Sequence, residues 1–412
     1  MGYAAPCGCL RRACTGLQNV APEVFRVMSE SAATGQFVLN AEQRAIQELA
    51  FTFAQERIAP HALQWDQEKH FPLDVIRSAA PLGMGGICVA EDVGGSNLSR
   101  LDAVLIYDSL ATACPCIAGY FSVHNMVALV VDRNGTPQQR RQWLPRLCRL
   151  ELLGAYCLSE PACGSDASAL TTRAEHNGDS FVLNGVKQFI SGAGAADLYI
   201  VMARTGGLGP RGISAFLVEK DTPGLSFGVC EKKMGWNAQP TRQVILEDVR
   251  IPAENLLGTE GSGFRIAMAA LDGGRLNIAA CSLGGARSAL KRATAYLQER
   301  TAFGKKLAEF QGLQFKLADM AIEVEVAQTF LWRAASALDA KDANASVLSA
   351  MAKRFVTDSG FHVANEALQL FGGYGYLTDY GIEKIVRDLR VHQILEGTNE
   401  IMRVIIARSL LQ

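Results

Sequence analysis

Near its C-terminus the chain reads Gln393-Ile394-Leu395-Glu396-Gly397-Thr398-Asn399-Glu400. The residues that follow are apolar at helical spacing, and Thr398 or Asn399 is a plausible N-cap for them. The large apolar neighbours of Glu396 can desolvate its carboxylate and make it a stronger base, while Gly397 lets a ligand approach closely. The free amides of a helix start can hold a phosphate. The stretch therefore indicates either a base beside a phosphorylated ligand or a buried helix start with a capping glutamate.

Further segments upstream extend this pattern. They are Leu158-Ser159-Glu160-Pro161-Ala162-Cys163-Gly164-Ser165-Asp166 with Phe189-Ile190-Ser191-Gly192-Ala193, Asp272-Gly273-Gly274-Arg275, Arg300-Thr301-Ala302-Phe303-Gly304 and Gln369-Leu370-Phe371-Gly372-Gly373-Tyr374-Gly375. With the Glu396 stretch they resemble the acyl-CoA dehydrogenase family, in the same order and at similar separations, over roughly residues 39–412. One motif alone would be weak, but five in register argue strongly against chance.

The composition is that of an ordinary globular protein. Of the 412 residues, 49% are hydrophobic and 20% are charged, and the net charge of -1 gives no reason to expect nucleic acid or an anionic membrane as a partner. No apolar run reaches the roughly 18 residues that span a bilayer. The 11 cysteines and six histidines are scattered, so no metal site is expected and the cysteines are interpreted as small buried side chains in a reducing compartment.

Local patterns divide the chain into four parts. Residues 1–35 contain arginines but no acid before Glu23, which resembles a mitochondrial targeting segment, with a disordered extension as the alternative. Residues 39–152 form a predicted helical domain, in which Asn40 and Gln43 suit a capping box. Residues 153–262 read as a β-barrel or sandwich, and residues 263–412 as a four-helix bundle with helices at 264–300, 311–338, 345–370 and 399–411. The predicted fold class is α+β, acyl-CoA dehydrogenase-like.

One glycine-rich segment matches a dinucleotide-binding motif but lacks the structural context that this motif requires. Gly207-Leu208-Gly209-Pro210-Arg211-Gly212 matches G-x-G-x-x-G, but a dinucleotide-binding fold requires a helix to begin there. Residues 213–218 instead have a strand pattern, which predicts a hairpin loop.

The resemblance implies a flavoenzyme that removes two hydrogens from the α and β carbons of an acyl-CoA. It makes Glu396 the catalytic base, with its backbone N–H polarising the thioester carbonyl. It implies FAD contacts at Tyr156, Leu158, Ser159, Gly164, Ser165, Phe189, Ile190, Ser191, Arg300, Phe303, Gln311, Gln369, Gly372, Gly373, Thr398 and Glu400, several of them across a subunit interface. Implied substrate contacts are Ser165, Asp272, Gly273, Gly274, Arg275 and Arg408. The alternatives remain that Arg300 faces solvent, that Gly372-Gly373 only ends a helix, and that Phe189 is core.

A substrate class follows from a finer resemblance. Within the segment Met234 to Arg242, this chain has Asn237 and Gln239 where most relatives have arginine and serine. This segment, together with residues 123–126 and 276–284, resembles the family members that act on short branched acyl chains. The resemblance implies oxidation of isobutyryl-CoA to methacrylyl-CoA in valine catabolism, in the mitochondrial matrix, by a homotetramer that passes electrons to electron-transferring flavoprotein. A short-chain or 2-methylbutyryl-CoA dehydrogenase, an oxygen-using oxidase and a catalytically silent flavoprotein scaffold remain as alternatives.

Overall fold

The N-terminal part of the fold is helical. The computed structural model describes residues 38–411, so the predicted targeting segment lies outside the described residues. The helices are α1 (Ala41–Phe53), α2 (Ala62–Glu68), α3 (Leu73–Ser78), α4 (Arg100–Ala111), α5 (Pro115–Asn134) and α6 (Pro137–Cys148). The predicted capping box at the start of α1 is confirmed, because Gln43 N donates to Asn40 Oδ1 at 2.8 Å and Asn40 N donates to Gln43 Oε1 at 3.0 Å.

Helix α5 lies in the core of the described chain. Within residues 38–411 it alone is long and apolar enough to cross a membrane by length and composition, but 83% of its apolar window is buried inside the protein. Its Asn125 side chain accepts from Ile87 N at 2.8 Å and donates to Met84 O at 2.9 Å. These bonds satisfy a buried amide inside the protein, as expected for a core helix.

The middle part is a twisted sheet of eight strands. They are β1 (Gly154–Cys157), β2 (Arg173–Asn177), β3 (Ser180–Ser191), β4 (Leu198–Arg204), β5 (Ile213–Glu219), β6 (Leu225–Phe227), β7 (Thr241–Pro252) and β8 (Leu256–Leu257). The order is β6-β7-β3-β2-β4-β5-β8, and β1 pairs with β4 in parallel. The G-x-G-x-x-G segment is confirmed as a connection between β4 and β5, where only a short 3-10 turn, Pro210–Gly212, precedes the strand.

The C-terminal part consists of long helices. These are α7 (Gly263–Glu299), α8 (Gln311–Asp339), α9 (Ala345–Phe371), α10 (Ile382–His392) and α11 (Asn399–Leu410), with a small hairpin of β9 (Thr301–Ala302) and β10 (Lys305–Lys306) after α7. Helix α7 is central because it packs on α9, α8, α4 and α5. Close approach to α4 needs a glycine, since a Cβ at Gly284 would lie 2.1 Å from Asp108 O.

The predicted α+β architecture of helical, sheet and helical parts is confirmed, but the C-terminal part has one more helix than predicted. Helix α10 was missed because it has only 11 residues and many charges, although Gly381 in the left-handed conformation (φ 62°) marks its start. It packs on α7 and α9 and leads directly into the Glu396 turn. This short helix therefore positions the predicted base.

Candidate active site

Glu396 lies in the turn between α10 and α11, against the backbone of α7. A Cβ atom built on Gly274 would come within 2.5 Å of Glu396 Oε2, so only glycine leaves room for the carboxylate. Glu396 itself has φ 57° and Gly397 has φ 86°, which places two consecutive residues in the left-handed region. The Thr398 side chain caps α11 by accepting from Ile401 N at 3.3 Å. The turn therefore directs the carboxylate toward α7 and away from the helix that it precedes.

The environment of Glu396 shifts the ionisation of its carboxylate toward neutral pH. Burial raises the pKa of Glu396 to about 7, while the positive charges of Arg275 and Lys353 oppose that rise. Its Oε2 atom is buried and has no hydrogen-bond partner among the described residues. A carboxylate that is desolvated and unpaired is available to accept a proton from a ligand.

Beside Gly273 and Gly274 lies a narrow cavity of about 60 Å³. Its lining is mostly apolar, with Cys88, Met126, Leu129 and Ile266 among the residues. Polar side chains also line it, among them Arg100, which is buried and donates through Nη1 to Asn277 Oδ1 at 2.9 Å. A Cβ on Gly273 would lie 2.8 Å from Arg100 Nη2, so the guanidinium rests on the same glycine pair as the Glu396 carboxylate. A small acyl group fits this size of cavity, and a polar wall limits its length.

The D-G-G-R segment is held by its own ion pair. Arg275 Nη1 donates to Asp272 Oδ1 at 2.6 Å, and Ser346 Oγ donates to the same oxygen at 2.9 Å. Arg275 is buried and its charge acts on Glu396. In the structure, Asp272 thus orients Arg275, and Gly273 and Gly274 supply the wall of the cavity.

A buried ion pair between Lys187 and Glu160 holds the loop that follows β1. Lys187 Nζ donates to Glu160 Oε1 at 2.7 Å and to Leu158 O at 3.2 Å, and Glu160 also accepts from the backbone of Thr171 and Thr172. Burial alone would raise the pKa of Glu160, but Lys187 and the hydrogen bonds outweigh it and lower this pKa to about 2. With both charges satisfied, residues 158–165 form a rigid rim in which Ser165 is exposed and Gly164 has open space beside its Cα.

Phe189 projects outward from a bulge in β3. The register of β3 and β7 shifts between Lys187 and Ile190, and Phe189 takes φ 59°. Its side chain is 67% exposed, whereas Ile190 is buried and can offer a ligand only its backbone. Gln188 N donates to Ser159 O at 2.8 Å and joins this bulge to the rim. An exposed aromatic beside serine hydroxyls and backbone groups suits one face of a flat heterocycle, so core packing does not account for Phe189.

Two orphaned polar atoms mark a space between the sheet and the helices. The hydroxyl of Tyr156 and Glu396 Oε2 are both buried without partners, and the Glu396 charge acts on the pKa of Tyr156. Buried polar atoms are normally satisfied, so a bound group is expected to supply their partners. These atoms, the Phe189 face and the open backbone at Gly164 fit a flavin. Over residues 38–411, no group of three His, Cys, Asp or Glu side chains could hold a metal ion.

A second cavity, of about 690 Å³, lies at the far end of α9. Arg300, Gln369, Gly372 and Gly373 line it, and the Arg300 guanidinium lies 5.2 Å from the centroid of the Tyr374 ring. Gly372 and Gly373 have open space beside their Cα atoms, which leaves their backbone accessible. A cation, an amide and open backbone amides suit the nucleotide end of a cofactor.

The structure does not bring all the predicted cofactor residues into one site. Gln369 lies 16 residues beyond Lys353, which contacts the Glu396 turn, and this is about 24 Å along α9 at 1.5 Å per residue. Phe303 is 95% exposed on the β9–β10 hairpin and Gln311 is exposed at the start of α8. Arg408 is exposed in the last turn of α11, and Glu400 is exposed in its first turn. These residues remain predictions for contacts that a second subunit or a ligand would complete.

Sequence reasoning missed Arg100, Lys353 and the Glu160–Lys187 pair. Nothing local distinguishes Arg100 or Lys353, because each lies in an ordinary helical pattern far from the motifs. Glu160 lies inside one of the motifs, but its partner, Lys187, is 27 residues away, so the sequence gives no sign of the ion pair. Only the packing of α4, α7 and α9 shows that the two cations lie beside the Glu396 region.

Comparison with known proteins finds matches over most of the described chain. Models of the acyl-CoA dehydrogenase N-terminal, middle and C-terminal domains match residues 40–151, 155–249 and 261–411. The chain is 53% identical over 374 residues to the mitochondrial isobutyryl-CoA dehydrogenase of Bos taurus, covering 91% of this chain and 90% of that one. The corresponding protein of Dictyostelium discoideum is 54% identical over 373 residues, covering 90% of each. The structure of butyryl-CoA dehydrogenase from Megasphaera elsdenii superposes with a TM-score of 0.89 at 38% identity, covering 92% of this chain and all of that one (100%).

Proposed function

The chain belongs to the acyl-CoA dehydrogenase family, and on this premise we propose that it oxidises isobutyryl-CoA to methacrylyl-CoA in valine catabolism. The observation that carries the proposal is the position of the Glu396 carboxylate, whose buried Oε2 atom has no hydrogen-bond partner within residues 38–411 and lies against Gly274, a residue that lines a narrow cavity of about 60 Å³. A cavity of this size suits a short acyl chain. The 53% and 54% identities to two isobutyryl-CoA dehydrogenases support the branched substrate.

Glu396 is the proposed acceptor of the α proton. Gly274 leaves the carboxylate room beside the cavity, and the charges of Arg275 and Lys353 favour its ionised form against burial. The α proton of a thioester is only weakly acidic, so a hydrogen bond from the Glu396 backbone N–H to the thioester carbonyl is proposed to stabilise the charge that develops there. The apolar lining of the cavity excludes water and strengthens both effects.

The cofactor is proposed to be FAD. Tyr156, Leu158, Ser159, Gly164, Ser165 and Phe189 to Ser191 would hold the ring system, and Thr398 with Glu400 lies at the helix start that would hold the pyrophosphate. Arg300, Phe303, Gln311, Gln369, Gly372 and Gly373 would hold the nucleotide end from a neighbouring subunit. FAD, when bound, supplies the acceptor for the β hydrogen as hydride. The orphaned Tyr156 hydroxyl and the outward Phe189 ring support this assignment.

The segment that distinguishes the branched-chain members has a structural role here. Trp236 N donates to Asp388 Oδ1 at 2.6 Å, its indole donates to His392 Nε2 at 3.1 Å, and Gln239 Oε1 accepts from Gly192 N at 3.1 Å. The segment therefore connects the sheet to α10 and sets the spacing between the Phe189 bulge and the Glu396 turn. It does not line the acyl cavity, so acyl specificity is proposed to lie in the cavity residues instead.

A substrate panel tests the proposal. Purified protein with a dye as electron acceptor would be assayed with isobutyryl-CoA, butyryl-CoA and 2-methylbutyryl-CoA, and kcat/KM is expected to be highest for isobutyryl-CoA. Near-zero turnover of isobutyryl-CoA beside fast turnover of either other substrate would contradict it. The difference between these acyl groups is one methylene or one branch, which is worth about 1–3 kcal/mol in a pocket, so the ratios are measurable.

The electron acceptor and the compartment are proposed from the same premise. The two isobutyryl-CoA dehydrogenases that the chain resembles are described as mitochondrial, and the acid-poor residues 1–35 fit a targeting segment. We therefore expect matrix import that depends on residues 1–35 and reduction of electron-transferring flavoprotein in place of the dye. Import of a chain that lacks these residues would contradict the first, and rapid peroxide release in air with no reduction of that flavoprotein would contradict the second.

A further inference from the structure

Lys353, in the first third of α9, is a buried lysine whose hydrogen-bond partners are uncharged. Its side chain is 0% exposed, and Nζ donates to Gly397 O at 2.7 Å and to Asn399 Oδ1 at 2.8 Å. Two other buried lysines in the described chain meet carboxylates, Lys187 at Glu160 (2.7 Å) and Lys384 at Asp388 (2.6 Å). Burying an ammonium group against neutral acceptors is unfavourable, so a structural reason alone does not explain a lysine at this position.

The two acceptors of Lys353 bracket the turn that carries the base. Gly397 directly follows Glu396, and Asn399 is the first residue of α11. The turn is closed by Asn399 N, which donates to Gln393 O at 3.0 Å. The Asn399 amide also donates to Asp358 Oδ1 at 2.6 Å, so α9 holds the turn by more than one bond. A left-handed conformation at a non-glycine residue such as Glu396 costs roughly 1 kcal/mol or more and persists only where surrounding bonds enforce it.

Charges from several elements meet at this point. The pKa of Lys353 is lowered to about 7, mainly by burial. The negative charges of Glu396, Asp358 and Glu400 raise this pKa, and the positive charge of Arg275 on α7 lowers it further. The charged groups that act on the pKa of Glu396 are Arg275 and Lys353. The Glu396 charge in turn acts on the pKa of the Tyr156 hydroxyl, on β1. Burial, with a smaller contribution from the Lys353 charge, lowers the pKa of His392, at the end of α10, to about 3 and keeps this histidine neutral. The charges of Lys353 and Glu396 therefore act on each other's pKa.

We propose that Lys353 is a positioning residue for the reaction: its ammonium group, lodged beneath the Gly397 carbonyl, holds the Glu396–Gly397 turn in its left-handed geometry and keeps a positive charge beside the base. The proposal rests on the function proposed for Glu396. It assigns two separable tasks to one side chain, a hydrogen bond that aims the carboxylate and a charge that favours its ionised form.

Three substitutions separate the two tasks. Lys353→Met removes the bond and the charge at nearly constant length. Lys353→Gln keeps an N–H donor without charge, and Lys353→Arg keeps both in a different shape. A one-ångström displacement of a catalytic group can lower the rate by about 10²-fold, so Lys353→Met is expected to lower kcat about 10–100-fold with little change in KM. Lys353→Gln and Lys353→Arg are each expected to recover part of that loss.

The pH dependence isolates the charge. In Lys353→Met and Lys353→Gln, the acidic limb of the kcat/KM profile is expected to move to higher pH, because the pKa of Glu396 rises when its positive neighbour is lost. In Lys353→Arg, the acidic limb is expected to stay near its wild-type position. Lys384→Met is the matched control, since it removes a buried lysine that pairs with Asp388 instead of the Glu396 turn. It is expected to lower thermal stability and leave the limb in place.

A readout without turnover keeps this test independent of the proposed function. Infrared difference titration of the FAD-loaded protein reports the carboxylic acid band of Glu396, identified by its loss in Glu396→Gln. The midpoint of that band is expected to shift upward in Lys353→Met and Lys353→Gln. The proposal would be overturned if, in Lys353→Met and Lys353→Gln, neither the Glu396 band nor the acidic limb of kcat/KM shifted and kcat fell only in proportion to the loss of bound FAD. A wild-type protein that turns over no acyl-CoA would instead overturn the proposed function and leave the band test standing.

Discussion

The carboxylate of Glu396 lies directly on the backbone of Gly274, so that a Cβ atom at Gly274 would approach Oε2 to 2.5 Å and Oε1 to 3.1 Å. Gly274 is inside α7, where glycine is otherwise unfavourable by roughly 1 kcal/mol relative to alanine. At this position the Glu396 carboxylate occupies the space that a side chain would fill. The relationship leads directly to a test.

Gly274→Ala is expected to displace the carboxylate while α7 stays folded. The new methyl group cannot coexist with Oε2, and a shift of about one ångström lowers the rate by about 10²-fold. Steady-state kinetics with isobutyryl-CoA and thermal unfolding would be measured together. Gly312→Ala is the matched control, because Gly312 lies in α8 with open space beside its Cα, and it should leave kcat unchanged. Full activity in Gly274→Ala would show that catalysis does not depend on the observed position of the Glu396 carboxylate.

Glu396→Gln is expected to retain fold and FAD and to lose activity by about 10²–10⁴-fold or more, because the amide is nearly isosteric but cannot accept the α proton. Turnover is measured by dye reduction and FAD content by visible absorbance. Glu254→Gln, at an exposed glutamate before β8, is the control and should match the wild type. Retention of more than about a tenth of wild-type turnover would exclude Glu396 as the general base, whose contribution is far larger than that.

The raised pKa of Glu396 predicts how activity and stability vary with pH. Activity requires the ionised form, so kcat/KM should fall below a pH near 7. For stability the sign is opposite. The pKa of about 7 in the folded chain exceeds the value of 4.5 in the unfolded one, so the contribution of protonated Glu396 is full below pH 4.5 and is lost as the pH rises to about 7.

Thermal unfolding of wild type and Glu396→Gln across this window checks the stability half. The glutamine variant stays neutral throughout, so its melting temperature should increasingly exceed that of the wild type as the pH rises from 4.5 to 7. A constant difference between the two proteins would mean that the pKa of Glu396 is not raised by folding.

The sequence could predict most of the helices and strands and the candidate base Glu396, but not the charged side chains that surround Glu396. Local periodicity predicts helices such as α5 and α9, and the Glu396 stretch carries its own signal of a glutamate before a capped helix start. Arg100 and Lys353 reach the site only through the packing of α4, α7 and α9, so their roles depend on contacts with partners that are far away in sequence. Helix α10 was missed because short, highly charged helices are stabilised mainly by tertiary packing.

Arg100 is expected to limit the length of the acyl chain. Its guanidinium occupies the cavity wall beside Gly273, bonded to Asn277, and Arg100→Met would replace it with a flexible apolar side chain. The ratio of kcat/KM for hexanoyl-CoA to that for isobutyryl-CoA should rise about tenfold or more, since each methylene accommodated is worth about 1–3 kcal/mol. Arg100→Lys keeps the charge and should retain the short-chain preference. An unchanged ratio in Arg100→Met would place the length limit elsewhere.

The quaternary prediction is a homotetramer, or at least a dimer, in which FAD is shared between subunits. Gln369 lies about 24 Å along α9 from Lys353, which contacts the Glu396 turn, so the predicted cofactor residues do not form one compact site in a single chain. The large cavity at Arg300, Gln369 and Gly372 is therefore expected to meet the Phe189 and Glu396 region of a neighbouring subunit. A cofactor that bridges two chains binds only the assembled state and stabilises it by mass action.

Arg300→Ala should consequently lower FAD occupancy and weaken assembly together. Arg300 lines the cavity and lies over the Tyr374 ring at 5.2 Å, so its loss removes a cation from the proposed nucleotide site. Light scattering and visible absorbance of purified protein, with and without added FAD, measure both effects. Arg173→Ala, at an exposed arginine on β2, should change neither, because surface substitutions typically alter stability by about 0.5 kcal/mol or less. A monomer that retains stoichiometric FAD would rule out the shared site, since no second chain would then be needed to complete the contacts made by Arg300.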